Sequence, residues 1–328
     1  MSSFTILSFV GGGIRGLASA TLLNELYKSY PNVVSSASML AGTSTGGTII
    51  AALATNKESP QQIIETYLTT DRSFYADHFS NDPTGPAYPI DLFAAGMDAK
   101  YGLQKLSDFQ KQKLLFTTFN VGQKDSPWEP VLLHNFPKST TADTRLADAV
   151  VATSSMPGMF GAYKFGSYPG TVDGAFVNHD PTLAAIALAI NSGVPAADIV
   201  AICFGTGLMP NYLGSETTTW GAQQWQQGPV NAPLGAYDAP PLLINGSISP
   251  ILNISLNGTS TSLIPTLAGM MLPGRYAYLN PKLPHYIPEN ETDMAVLDLL
   301  RAASLAVTTT AEFATAKSLV ETYWSYAI

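Results

Sequence analysis

The chain has 328 residues, 12% of them charged, and a formal net charge of −8. That charged fraction is about half the globular average, and with no Lys/Arg cluster to meet phosphates it argues against a nucleic-acid partner. A single cysteine, Cys203, excludes an internal disulfide framework.

The length allows one large domain or two small ones. No tract reads as a linker and nothing repeats at a fixed period, so residues 1–328 are read as a single domain. Phe4 to Val10 alternates, is rich in β-formers and has no basic segment before it. It reads as a first strand and not as a signal peptide. No stretch reaches the roughly 18 uninterrupted apolar residues of a membrane span. The expectation is a cytoplasmic protein, at most membrane-associated.

Gly11-Gly12-Gly13-Ile14-Arg15-Gly16 follows the first strand. Leu17, Thr21, Leu22, Leu26 and Tyr27 then mark one face of a helix that Pro31 stops. Ser38 to Ala41 predicts a second strand, Gly42-Thr43-Ser44-Thr45-Gly46 a turn, and Thr48 to Ala54 a helix. Pro60 starts another helix carrying Ile63, Ile64, Tyr67 and Leu68. Residues 71–102, with Pro83, Pro86 and Pro89, read as irregular. Phe116 to Val121 and Pro130 to Leu133 look like neighbouring strands joined by a turn from Gly122 to Trp128. Thr144 to Ala152 is helical, Thr171 to Asp173 is β-like, and Pro181 to Ile190 is an alanine-rich buried helix. Ile199 to Phe204, which holds Cys203, is a buried strand closed by Gly205-Thr206-Gly207, and Glu291 to Trp324 reads as C-terminal helices. Strands alternating with helices indicate an α/β layered fold with a largely parallel sheet.

Two segments suggest chemistry. Ser44 lies in Gly-x-Ser-x-Gly between a strand and a helix. That arrangement can hold a serine in a sharp turn and present its hydroxyl, with small neighbours relieving the crowding. The glycine run from Gly11 to Gly16 fits Gly-x-Gly-x-x-Gly, the dinucleotide fingerprint, but Val33 to Gly47 contains no acidic residue to hold a ribose. Its other use is an oxyanion hole, in which the N–H groups of Gly11, Gly12 and Gly13 meet a negative oxygen and the following helix adds its positive end. Arg15 is the one charge of the loop and would stabilise the loop or the oxyanion, or serve as a simple ion pair. Of the four histidines, His78, His134, His179 and His285, none stands in a recognisable triad motif. Asp173-Gly174-Ala175 offers a carboxylate at a strand end, although an Asp before Gly is also a common turn former.

Gly11 to Gly16, Gly42 to Gly47 and Asp173-Gly174-Ala175 together resemble the patatin-like phospholipase family in order and spacing. Ala152-Thr153-Ser154-Ser155-Met156-Pro157, the strand ending at Gly205-Thr206-Gly207, and Arg275 leading into Asn280-Pro281 are similar to further segments of that family. The resemblance implies a three-layer α/β/α fold and a Ser44–Asp173 dyad with no catalytic histidine. It implies oxyanion donors from Gly12 and Gly13, helped by Gly11. Arg15, Gly16, Gly42, Gly46, Gly174 and Ala175 would support the motifs. The implied reaction is carboxylic ester hydrolysis in phospholipids or related lipids through an acyl-enzyme, with no cofactor and no metal. The family's usual Asp or Ser before the three glycines is Val10 here, and Asp173 is followed by Gly-Ala and not Gly-Gly. A non-catalytic storage or binding protein on the same fold, and a Ser-His-Asp esterase using His179 or His285, stay open as alternatives.

From Ala201 to Gly274 the only charged residues are Glu216 and Asp238. This region holds Trp220, Trp225, Leu242, Leu243, Ile251, Leu252, Leu263, Ile264, Met270, Met271 and Leu272. It is expected to pack as core helices, or to form an acyl-chain channel or a lipid-docking face.

Overall fold

The structure is a computed structural model, and it describes residues 3–125, 127–209, 215–227, 243–244, 247–248 and 250–324. The chain begins with β1 (Phe4–Phe9), α1 (Gly16–Ser29), β2 (Met39–Gly42), α2 (Thr45–Ala54) and α3 (Pro60–Thr66). A π-helical turn, Tyr67–Asp71, leads into α4 (Arg72–Asp77) and then α5 (Ile90–Tyr101). Strands β3 (Lys113–Asn120) and β4 (Glu129–His134), α6 (Leu146–Thr153), β5 (Tyr163–Phe165) and β6 (Tyr168–Asp173) follow. Next come α7 (Ala175–Asn178), α8 (Thr182–Asn191), β7 (Ile199–Phe204) and α9 (Ala222–Gln227). The short ribbon β8 (Leu243–Ile244) and β9 (Ser247–Ile248) precedes α10 (Pro250–Asn253) and α11 (Ile264–Met271). The chain ends with β10 (Tyr276–Leu279), α12 (Met294–Ala306) and α13 (Ala311–Tyr323).

One sheet runs β10-β7-β1-β2-β3-β6-β5, with β4 also paired to β3. The β10, β7, β1, β2 and β3 pairings are parallel; β4, β6 and β5 join antiparallel. Parallel strands are covered on both faces, which is why β7 reads as an unbroken apolar run with every residue buried. Leu7, Phe9, Leu40, Phe116 and Ile202 pack on one face with α1, α2, α6, α12 and α13. Ile6, Met39, Ala41, Leu115 and Ala201 pack on the other with α8 and α11. The result is the expected three-layer α/β/α arrangement. Among the described residues no single helix is long and apolar enough to cross a bilayer.

One expectation needs correction. Residues 71–102 are not irregular throughout, since α4 and α5 lie within them. Leu92, Phe93, Gly96, Met97, Lys100 and Tyr101 of α5 share a face at helical spacing; that face lines a cavity, and Phe93, Met97 and Tyr101 also pack against the core. Among the described residues from Ala201 to Gly274, none lines the cavity at Ser44. Ile264 and Leu272 belong to the buried core, while Ile251, Leu263, Met270 and Met271 are exposed. Leu242 and Asp238 lie outside the described residues, as do the side chains of Leu243 and Glu216.

The pairing of β3 positions the site. β4 takes one β3 edge along Leu115–Asn120, so β2 and β6 share the other edge end to end. β2 runs up to Gly42 opposite Phe116, and β6 runs down to Asp173 opposite Thr118. The turn that leaves β2 and the carboxylate that ends β6 therefore meet.

Candidate active site

Ser44 follows β2 with φ 55 and ψ −125, a left-handed backbone that a β-carbon disfavours. The turn is held by its surroundings. The Ser44 N–H donates to Thr153 Oγ1 at 2.9 Å, and Thr43 Oγ1 donates to the Asn178 carbonyl at 2.8 Å. Close packing explains its glycines: a β-carbon on Gly42 would stand 2.3 Å from the Gly46 carbonyl oxygen, and one on Gly46 would stand 2.2 Å from that of Phe9.

The Ser44 hydroxyl donates to Asp173 Oδ2 at 2.6 Å. Asp173 Oδ1 accepts the Ala175 N–H at 2.8 Å, which fixes the carboxylate plane. Gly174 fits between them because a side chain there would strike Thr117. Asp173 is fully buried. Burial pushes its carboxyl up to about 8; the bonds from Ser44 and Ala175 oppose the shift and the charge of Glu289 adds to it.

The glycine loop runs past Ser44. The Gly11 N–H donates to the His179 carbonyl at 3.1 Å, and Thr206 Oγ1 donates to the Gly11 carbonyl at 2.6 Å. Gly11 is thus an anchor whose N–H is already taken. Gly12 and Gly13 have φ of 152 and 57, conformations suited to glycine. Among the described residues their N–H groups have no partner. Gly16 starts α1 against the Tyr67 hydroxyl, which is also bonded to Thr45.

Arg15 does not reach the site. It is almost fully buried, its Nη1 donates to the Ile287 carbonyl at 2.8 Å, and its Nη2 pairs with Glu289 Oε1 at 3.3 Å. The Glu289 carbonyl in turn accepts the Ile14 N–H at 2.7 Å. The strap around Glu289 is thereby clamped onto the glycine loop, and the Glu289 side chain lines the cavity at Ser44. Thr153, Thr206 and Glu289 are site residues that the motifs did not single out. Thr153 and Thr206 stood inside segments noted only for their Ser-x-x-Pro and Gly-x-Gly patterns. Glu289 carries no local signal at all.

His179 is buried beside Gly11. Its Nδ1 lies 2.7 Å from the Leu256 carbonyl and 3.2 Å from Ser260 Oγ, and no bond links its ring to Ser44. Burial lowers its pKa, which favours the neutral imidazole. His285 is exposed. A cavity of about 200 Å³ opens from Ser44 and Gly13 between α3, α4, α5 and the Ser154–Phe160 loop.

A nucleophile-type elbow, a bonded buried carboxylate and free loop amides invite comparison with known proteins. The family model for patatin-like phospholipase matches residues 7–186, a span that holds both Ser44 and Asp173. The putative sporulation hydrolase CotR of Bacillus subtilis (strain 168) is 28% identical over 316 residues, covering 90% of this chain and 92% of that protein. Protein teg of Priestia megaterium is 27% identical over 317 residues, covering 92% and 93%. Patatin-07 of Solanum tuberosum is 24% identical over 263 residues, covering 67% of this chain and 66% of its own length. The chain belongs to the patatin-like phospholipase family.

Proposed function

We propose that the protein is a serine lipid acyl hydrolase of phospholipase A type. Ser44 attacks the ester carbonyl while Asp173 takes its proton. The N–H groups of Gly12 and Gly13 hold the oxygen that becomes negative. Collapse expels the alcohol, which receives the proton from Asp173 and leaves an acyl group on Ser44. Asp173 then activates water to release the acid and free the serine. The observation that carries this reading is the 2.6 Å bond between Ser44 Oγ and Asp173 Oδ2.

Peripheral contact with a lipid surface belongs to the same reading. It is supported by the exposed apolar side chains of Ile251, Ile254, Leu263, Leu267, Met270 and Met271. No charged residue occurs from Ala239 to Gly274.

Fluorophosphonate labelling tests the nucleophile. Wild type should label and Ser44→Ala should not. Labelling that persists in Ser44→Ala refutes the assignment, and an unlabelled wild type favours a storage or binding role.

A further inference from the structure

The cavity at Ser44 has two unlike walls. Phe74, Phe93 and Phe160 form an apolar wall, with ring centroids 5.5–6.4 Å apart, extended by Met97 and Met159. The other wall carries Glu58, Asp71, Lys100, Tyr75 and Tyr101. An acyl chain lodged in this cavity from Ser44 would meet both.

The charges on the second wall are only partly paired. The Lys100 ammonium pairs with Glu58, to which Thr66 also donates. Among the described residues the Asp71 carboxylate accepts no hydrogen bond and makes no ion pair, and the Tyr75 and Tyr101 hydroxyls have no partner. Burial raises both tyrosines, and the Asp71 charge adds to it, after that of Glu58 at Tyr101. Burial pushes the Asp71 carboxyl up to about 7, with Lys100 opposing the shift and Glu58 adding to it. Asp71 also sits in the π-helical turn Tyr67–Asp71, an irregularity common at functional sites.

A plain hydrocarbon chain in this cavity would displace water from Asp71, Tyr75 and Tyr101 and return no hydrogen bond. A neutral group that both donates and accepts would satisfy them. Glu58 already pairs Lys100, so no second anion is called for. We propose that this wall is an acyl subsite for chains bearing a hydroxyl, which donates to Asp71 and accepts from Tyr75 or Tyr101. The protein would then select esters of hydroxylated acyl groups, a substrate class that rests on the hydrolase reading above.

Binding to Ser44→Ala protein, followed by calorimetry, tests the subsite without turnover. The probes are methyl hydroxyalkanoates, with the hydroxyl moved along the chain, and the methyl alkanoate of equal length. At least one positional isomer should bind about tenfold or more tighter than the unsubstituted ester. The advantage should vanish in Ser44→Ala/Asp71→Leu and survive in part in Ser44→Ala/Asp71→Asn, which keeps size and an acceptor. The proposal is overturned if no isomer binds tighter, or if the advantage outlives Asp71→Leu. A binding advantage without hydrolysis by the wild type supports the subsite and counts against the hydrolase reading alone.

Discussion

Asp173 is fully buried, and in the proposed mechanism that burial equips it to accept the Ser44 proton. An ordinary carboxylate, with a pKa near about 4, is a weak base toward a hydroxyl; one raised to about 8 is a far better match. The same shift makes activity pH-dependent. Only the ionised carboxylate can take a proton, so kcat/KM on a neutral ester should climb about tenfold per pH unit on the acid side and level off above about pH 8. A pH-rate profile that stays flat from about pH 6 to about pH 9 contradicts this assignment. Stability runs the other way. The folded carboxyl holds its proton more tightly than the unfolded one. Its contribution is therefore fully present below about pH 4 and is lost as pH rises through about 8. Asp71 and Asp180, raised to about 7 and about 6 by burial, add to the same trend.

At the scale of elements, the glycine loop is held from outside its own sequence. Arg15 in the loop reaches Ile287 and Glu289, more than 270 residues away in the chain. Both charged partners are nearly excluded from water. Removing one partner of such a buried pair costs about 3–5 kcal/mol, mostly by stranding the other charge. Arg15→Met should lower unfolding stability by that order in a denaturant titration, and Arg15→Met/Glu289→Leu should recover much of the loss. A single variant within about 0.5 kcal/mol of wild type would show that the clamp is idle.

Across the whole molecule, strands β7 and β10 from the C-terminal half complete a sheet begun by β1, β2 and β3. The uncharged stretch from Ala239 to Gly274 also reaches the site, because Leu256 packs with Met156 and Ala175 and its carbonyl meets His179. If lipid docks there, Leu263→Asp/Met270→Asp should weaken flotation with neutral and anionic vesicles by about tenfold or more, since two charges would face the acyl region. Unchanged flotation contradicts the docking face.

Much of this architecture is legible in the linear chain. The strand-turn-helix around Ser44 is visible because its glycines answer to fixed close contacts, and β7 because both of its faces are buried. The partnership of Ser44 with Asp173 is not local. It comes from two strands meeting end to end on one β3 edge, and only the family resemblance pointed to it. A glycine run does not say which amides are already bonded; the Gly11 N–H donates to the His179 carbonyl. The helical spacing of α5 was hidden by Pro83, Pro86 and Pro89 just before it. Glu289 left no trace, since its partner lies at the opposite end of the chain.

The central claim is a serine activated by a carboxylate alone. Hydrolysis of a short-chain nitrophenyl ester by Asp173→Asn, beside His179→Gln and His285→Ala, tests it most directly. The dyad predicts a loss of about 10³-fold or more in kcat for Asp173→Asn, with both histidine variants within about tenfold of wild type. An active Asp173→Asn together with an inactive histidine variant would contradict it.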